Sequence, residues 1–469
     1  MRFVIPSSKN RRYLSGCDWV IGSLDYMMKQ TTCAGNMSQV VLVLDSVLSP
    51  SEVTKHLGRF ISEFPVVNGS ISRDINICPY WRMPGKVEAG INFTSHNIEA
   101  TPPSPPLEKE GSEVLPLLTE CANRPFKDDQ EHLAFHLVNI EDRKSCLAMA
   151  FDHRLFDARG AESFLALFQQ YLGSNGVDGI SSGVSLTAPA HLSEWMKKFL
   201  AGRNINRKII SLSENPLAAL PVPDDKNKGF RFRLIRFSEQ ETKTIYDNAY
   251  RTAGYLMETP YLLSVIMQAV DGLFMRRKFE EESYLAAVSI DMRTNEDIKQ
   301  ELFFNHVSYL FFQAQRDIVN NRKELVNSIK LQMYDQIKAG VPRDIMEASH
   351  LTRIAPLSFF KKIVDGPLKG KIATFIFSHV SKNPLSPELM GAKIEDVFHM
   401  PRVPVPPGLG FFSNYFNGRL NLVISYLDGL MSDDEVDVLG HFIKEKLTER
   451  PSPLAGEGQG EGERIEYPM

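Results

Sequence analysis

The sequence predicts an α/β or α+β protein built as two similar-sized lobes. Three observations predict it. At 469 residues the chain exceeds what a single hydrophobic core organises. Strand-like and helix-like segments are mixed in both halves without strict alternation. Between them, roughly Gly173 to Gly229, runs a stretch rich in Gly, Ser, Pro and Asp. The expected organisation is therefore a first lobe over 1–175, a crossover over 176–229, a second lobe over 230–449 and a tail over 450–469.

In the first half, the β-branched "MSQVVLVLDS" reads as a strand feeding a helix, "SPSEVTKHLGRFISEF", opened by Ser49, Pro50 and Glu52. Phe64-Pro65 should end it. "HLAFHLVNI" and "SCLAMAFDH" flank the polar turn "EDRK" as paired strands. The second is apolar throughout Cys146 to Phe151, which predicts an interior strand. After Asp157 the period becomes helical through Phe164, Leu165, Phe168, Tyr171 and Leu172, with Gly173 placed to stop it.

The crossover contains one helical insert, "HLSEWMKKFL". The second half opens with the strand "FRFRLIRF" and a helix whose capping box is Ser238 with Glu241. Thr259-Pro260 starts a further apolar helix. Strands follow at "YLAAVSIDMR", "HVSYLFFQ" and "KIATFIFSHV". In "GFFSNYFNGRLNLVISYLDG", Asn417-Gly418 between two alternating runs predicts a tight hairpin. Ser432 caps a last helix, and the glycine-rich tail, unflanked by strand or helix, reads as disordered and not as a dinucleotide fingerprint.

Composition narrows the function classes. Hydrophobic residues at 43% and charged residues at 23% are ordinary for a globular protein. A net charge of -4 gives no electrostatic reason to expect nucleic acid or an anionic membrane as partner. The scattered Cys17, Cys33, Cys78, Cys121 and Cys146 form no C-x-x-C pair and read as buried thiols of a reducing compartment. Without a secretory signal or an apolar run of about 18 residues, a cytoplasmic location without a transmembrane segment is expected. No P-loop occurs.

The stretch "AMAFDHRLFDARGAESFLALF" carries the chemistry. His153, four residues before Asp157, stands where a buried strand gives way to a turn. Histidine is the side chain whose unperturbed pKa lies nearest neutrality, so one placed here can take a proton from an alcohol or amine attacking a carbonyl. With eleven histidines the spacing arises by chance in roughly half of such chains, so spacing alone decides nothing. Context does more.

His153-x-x-x-Asp157 with Gly160 resembles the signature of the chloramphenicol-acetyltransferase-like acyltransferases, which include condensation domains, wax ester synthases and plant-type hydroxyacyl transferases. "RRYLSGCDWVIGSLDYMM" resembles that superfamily's opening segment, "VSIDMR" its strand ending in arginine, and "FFNHVSYLFF" its asparagine-bearing strand. "FIFSHVSKN" and the closing hairpin extend the likeness over about residues 13 to 447. The resemblance implies two lobes, each a mixed sheet with flanking helices, meeting at an active-site tunnel. It implies a cofactor-independent acyltransferase taking acyl-CoA or an acyl-carrier thioester as co-substrate. His153 would be the base, Asp157 its organiser paired with Arg293, and Asn305, Ser378, His379 and Ser413 would bind substrate. Partners are then a small-molecule donor and acceptor, and an acyl carrier protein. A condensation-type enzyme forming an amide from carrier-bound substrates is the nearest alternative, and a non-catalytic binding protein on the same scaffold the more distant one.

Several residues depart from the pattern. Asp152 stands where many relatives have a second histidine, Ala158 where glycine usually follows the aspartate, and His379 where asparagine is common. His132 and His136 have a metal-like spacing only on a helix; on a strand four residues span about 13 Å, too far for one ion. Arg231 and Arg233 alternate with aromatics and suit a solvated strand face better than a coenzyme phosphate.

Overall fold

An unbroken apolar run needs cover on both faces, and the strand before His153 has it. The computed structural model describes residues 10–85, 90–98, 114–141, 143–174, 194–281, 283–294, 299–366, 370–381 and 383–449. The tail expected at 450–469 lies outside them, as does the first third of the crossover, 176–193. In chain order the first half runs β1 (Arg11–Tyr13), α1 (Gly16–Thr31), β2 (Met37–Leu44), α2 (Pro50–Ile61), β3 (Ser70–Arg73), β4 (Pro79–Arg82), β5 (Asn92–Ile98), α3 (Leu115–Asn123), β6 (Leu133–Ile140), β7 (Lys144–Asp152) and α4 (Ala158–Gly173). The crossover holds α5 (Trp195–Leu212). The second half begins with β8 (Phe230–Arg236), α6 (Glu239–Ala253), α7 (Glu258–Arg276), β9 (Ser283–Asp291) and β10 (Val307–Gln315). Then come α8 (Arg316–Val319), α9 (Arg322–Lys338), α10 (Val341–Ser349), α11 (Phe359–Asp365), β11 (Phe375–Val380), β12 (Glu388–Leu389), β13 (Ala392–His399), β14 (Leu409–Phe416), β15 (Arg419–Leu427) and α12 (Asp433–Thr448).

Two mixed six-stranded sheets organise the lobes, in the orders β12-β13-β2-β7-β6-β5 and β10-β9-β11-β14-β15-β8. β7 lies between β2 and β6, antiparallel to both. Its alternate residues serve two cores: Leu147, Met149 and Phe151 pack with α2 and α4, while Cys146 and Ala148 join the cluster that fills the second lobe. The second lobe packs α6 against β15 and α12 against β8, with α7 packed on both helices. Its hairpin turns at Asn417 and Gly418, whose φ of 45° and 78° give the left-handed pair a two-residue turn demands.

The lobes are not contiguous in sequence. Strands β12 and β13, within the span expected for the second lobe, pair with β2 and extend the first sheet. Phe156 ties the lobes from the other direction: it bridges to Phe304, stacks on Phe303 at 5.1 Å, and neighbouring Leu155 accepts from Phe304 N at 2.6 Å.

Local differences from expectation have simple causes. α2 ends at Ile61, and a separate 3₁₀ turn, Pro65–Asn68, takes up Pro65. α7 starts at Glu258, so Pro260 sits inside its first turn, where its missing N–H is not needed. Of the five free cysteines, Cys33 and Cys78 are only half-buried. Arg231 and Arg233 lie on the solvated face of β8 and pair with Asp433 and Asp437 of α12.

Candidate active site

His153 follows the last residue of β7 and is fixed at three points. Its backbone N–H donates to Asn36 O at 3.0 Å. Asn305 Nδ2 donates to the His153 carbonyl at 2.8 Å, and Asn305 Oδ1 lies 3.0 Å from His153 Nδ1. Because the amide nitrogen is committed to that carbonyl, Oδ1 can only accept, which places the ring hydrogen on Nδ1 and leaves Nε2 with its lone pair. A cavity of about 350 Å³ opens here, bordered by Asn36, Ser38 and His153 from the first lobe and by Ser289, Tyr309 and Phe412 from the second.

Behind Asn305 stands Asp18, the acid of the opening "L-S-x-x-D" segment. Asp18 Oδ1 accepts from Asn305 N at 3.0 Å, and Oδ2 accepts from Arg12 at 2.9 Å and from Ser15 N at 2.8 Å. Burial resists its ionisation, but Arg12 and these hydrogen bonds outweigh it and hold the carboxyl below its ordinary range. The opening helix thus sets the asparagine that sets the histidine.

Asp157 caps α4 and is 1% exposed. Oδ1 accepts from Gly160 N at 2.8 Å and from Arg293 Nη2 at 2.7 Å, and Oδ2 accepts from His306 N at 2.9 Å. Burial again opposes the charge, and Arg293 with the backbone donors again prevails, keeping the carboxyl low. With both oxygens engaged by these donors, Asp157 ties the loop after His153 to Arg293 and His306. Arg293 continues to Asp291 at 2.9 Å, which also takes Arg159 at 2.8 Å. Gly160 is required by space: a Cβ there would lie 2.5 Å from Leu302 O.

The departures acquire structural reasons. Asp152, on the strand face opposite His153, is 2% exposed and joins His132 Nδ1 at 3.0 Å and Arg154 Nε at 2.8 Å. Arg154 overcomes the burial penalty and lowers this carboxyl strongly. A charged pair, Asp152 with Arg154, fills the position beside the loop that carries His153. Ala158 is the first residue of α4, where glycine's freedom is not needed.

The remaining expected residues lie on the paired strands β11 and β14, with His379 opposite Ser413. Ser378 accepts from Ser289 Oγ at 2.8 Å, and among the described residues its own hydroxyl hydrogen meets no acceptor. His379 Nδ1 lies 2.9 Å from Ser413 Oγ, and burial alone lowers its pKa to about 4, so it is neutral near pH 7. By strand alternation Ser378 shares a face with Ile376 and Val380, whereas His379 and Ser413 share the face of Phe377 and Phe411. All four expected residues border the cavity or bond His153 directly.

Sequence inspection missed His399, Glu162 and Tyr309. His399, 6% exposed and bordering the cavity, holds Glu162 Oε1 by Nε2 at 2.7 Å. The two come from β13 and α4, 237 residues apart, and no local pattern joins them. His132 and His136 are occupied separately, by Asp152 with Gly69 O and by Thr94. Among the described residues no three metal-ligating side chains converge.

This architecture is the two-lobed fold of the chloramphenicol-acetyltransferase-like and condensation-domain proteins. Among solved structures, the trichothecene 15-O-acetyltransferase of Fusarium sporotrichioides matches with a TM-score of 0.68 at 13% identity, covering 95% of this chain and 97% of that one. The first condensation domain of the CDA synthetase matches at 0.63 and 10% identity, covering 94% and 97%. The starter condensation domain of rhizomide synthetase, solved with C8-CoA and Leu-SNAC, matches at 0.62 and 10%, covering 94% of each. No family model matches the chain, and no curated sequence matches it.

Proposed function

We propose that this protein is an acyltransferase moving an acyl group from coenzyme A, or from a carrier-protein thioester, to an alcohol or amine. The observation that carries the proposal is the clamp of Asn305 on His153, which leaves Nε2 as the basic nitrogen beside a cavity walled by both lobes. The likeness to a fold that includes an acetyltransferase and a domain solved with an acyl-CoA supports it.

In this mechanism His153 Nε2 takes the proton of the acceptor O–H or N–H as the acceptor attacks the thioester carbonyl. The new carbon–oxygen or carbon–nitrogen bond forms a tetrahedral oxyanion, and Ser378, with its free hydroxyl hydrogen, donates to it. The carbon–sulfur bond then breaks and the imidazolium returns the proton to the thiolate. No covalent enzyme intermediate is formed. Asp157 and Arg293 are positioning residues that hold the loop between β7 and α4.

The test is free-thiol release from a panel of acyl-CoAs, each offered with alcohols and with amines. Wild-type protein turns over at least one pairing, and His153→Ala lowers that rate roughly 10²- to 10⁴-fold. Turnover unchanged in His153→Ala defeats the mechanism, and silence across a panel that includes carrier-bound thioesters defeats the function.

A further inference from the structure

The whole-chain charge conceals one local exception. The chain is acidic overall at -4, yet α5 carries Lys197, Lys198, Arg203, Arg207 and Lys208 with no acidic residue from Trp195 to Leu212. Its inner face is accounted for: Lys198, Ala201 and Leu212 are buried, Leu212 packs with Leu217 and Leu285, and Lys197 and Lys198 both pair with Glu347 of α10.

The outer face is not accounted for. Met196 is 72% exposed, Phe199 59%, Ile210 52%, Leu200 44% and Trp195 42%. Trp195 and Phe199 stack on each other at 6.0 Å. At 100° per residue, Met196, Phe199, Leu200, Arg203, Arg207 and Ile210 fall on one side of the helix. Arg203 and Arg207 are exposed, and among the described residues neither makes an ion pair.

We propose that this face of α5 docks the protein on an anionic lipid surface. The apolar side chains enter the headgroup boundary, and Arg203 and Arg207 meet lipid phosphates. Large apolar side chains interleaved with arginines, without acids, are the composition of helices that lie in a membrane interface. A second copy of this chain is a poorer occupant, because a two-fold contact through the same face would bring arginines together with no carboxylate between them. The account concerns a docked helix and no span: among the described residues no helix is long and apolar enough to cross a membrane.

Trp195 reports on the event without labelling, since Trp19 and Trp81 are buried at 3% and 0% exposure. The full chain is mixed with vesicles of phosphatidylcholine alone, or with about a third phosphatidylglycerol, at about 50 and 500 mM salt. Expected are co-sedimentation and a blue-shifted tryptophan emission with the mixed vesicles only, weakened by salt. Arg203→Glu with Arg207→Glu lowers vesicle affinity at least tenfold, since each arginine contributes on the order of fivefold. Met196→Ser with Phe199→Ser removes the blue shift, and circular dichroism stays unchanged in both variants. No binding to the mixed vesicles overturns the proposal, as does binding that survives both pairs of substitutions. Absent vesicle binding, a dimer in sedimentation velocity abolished by the same changes assigns the face to a second copy, and saturable capture of poly-L-glutamate assigns it to an acidic polypeptide; either result overturns the lipid assignment.

Discussion

Arg293→Met removes one partner from a buried pair and leaves the other charged. Asp157 is 1% exposed and the Arg293 side chain 7% exposed, with Nη2 to Oδ1 at 2.7 Å. Breaking such a pair costs about 3–5 kcal/mol. Asp157 keeps two backbone donors, Gly160 N and His306 N, so the lower end, about 3 kcal/mol, is expected. Adding Asp157→Asn removes the stranded charge and recovers part of that loss, giving a coupling of at least about 1.5 kcal/mol in a double-mutant cycle. The assay is urea unfolding of the four proteins, repeated as pH is lowered. The sign follows from the direction of the shift. Asp157 is held below its unfolded value near 3.9, so its stabilisation is fully present above that pH and is lost as pH falls through the lower folded value. The gap between wild type and Arg293→Met therefore narrows below about pH 3.9. An Arg293→Met protein within about 1 kcal/mol of wild type at pH 7, or strictly additive single changes, would refute the assignment of Asp157 and Arg293 as the clamp on the loop after His153.

Other residues make separate predictions. Asn305→Leu frees the imidazole to rotate and change tautomer; kcat should fall at least tenfold with little change in KM, and an effect confined to KM would contradict its positioning role. Gly160→Ala presses a methyl group toward Leu302 O and should cost about 1–3 kcal/mol in urea unfolding, whereas a neutral change would show that α4 can shift. Phe156→Ala empties the aromatic contact between lobes and should cost about 3–5 kcal/mol. His379 should show no imidazole titration by NMR between pH 8 and 5; since its folded pKa is about 4, it opposes folding increasingly as pH falls from about 6.5, and a midpoint near 6.5 would contradict its burial.

Much of the site was legible because its residues sit on strand ends that periodicity locates. His153 follows the apolar strand, Arg293 closes "VSIDMR", and Asn305 stands just before "HVSYLFF"; the fold joins His153 to Asn305 and Arg293 to Asp157. Capping boxes at Ser238 and Ser432 and the Asn417-Gly418 turn were equally plain, being local chemistry. What stayed hidden is long-range. Nothing in "AKIEDVFH" states that β13 will leave its neighbours and pair with β2, because pairing depends on which sheet edge is open. The contact of His399 with Glu162 inherits that uncertainty. Asp152 departs from the pattern where many relatives have histidine, and its buried partners, His132 and Arg154, are invisible to spacing.

The tautomer of His153 is the point on which the chemistry turns. Long-range ¹⁵N–¹H correlation of histidine-labelled protein, with His153→Gln to assign the resonance, reads it directly. The account predicts that the neutral ring carries its hydrogen on Nδ1 and its lone pair on Nε2 in the wild type, a preference lost in Asn305→Leu. A hydrogen resident on Nε2 would put the donor where the base must be and contradict the proposed transfer.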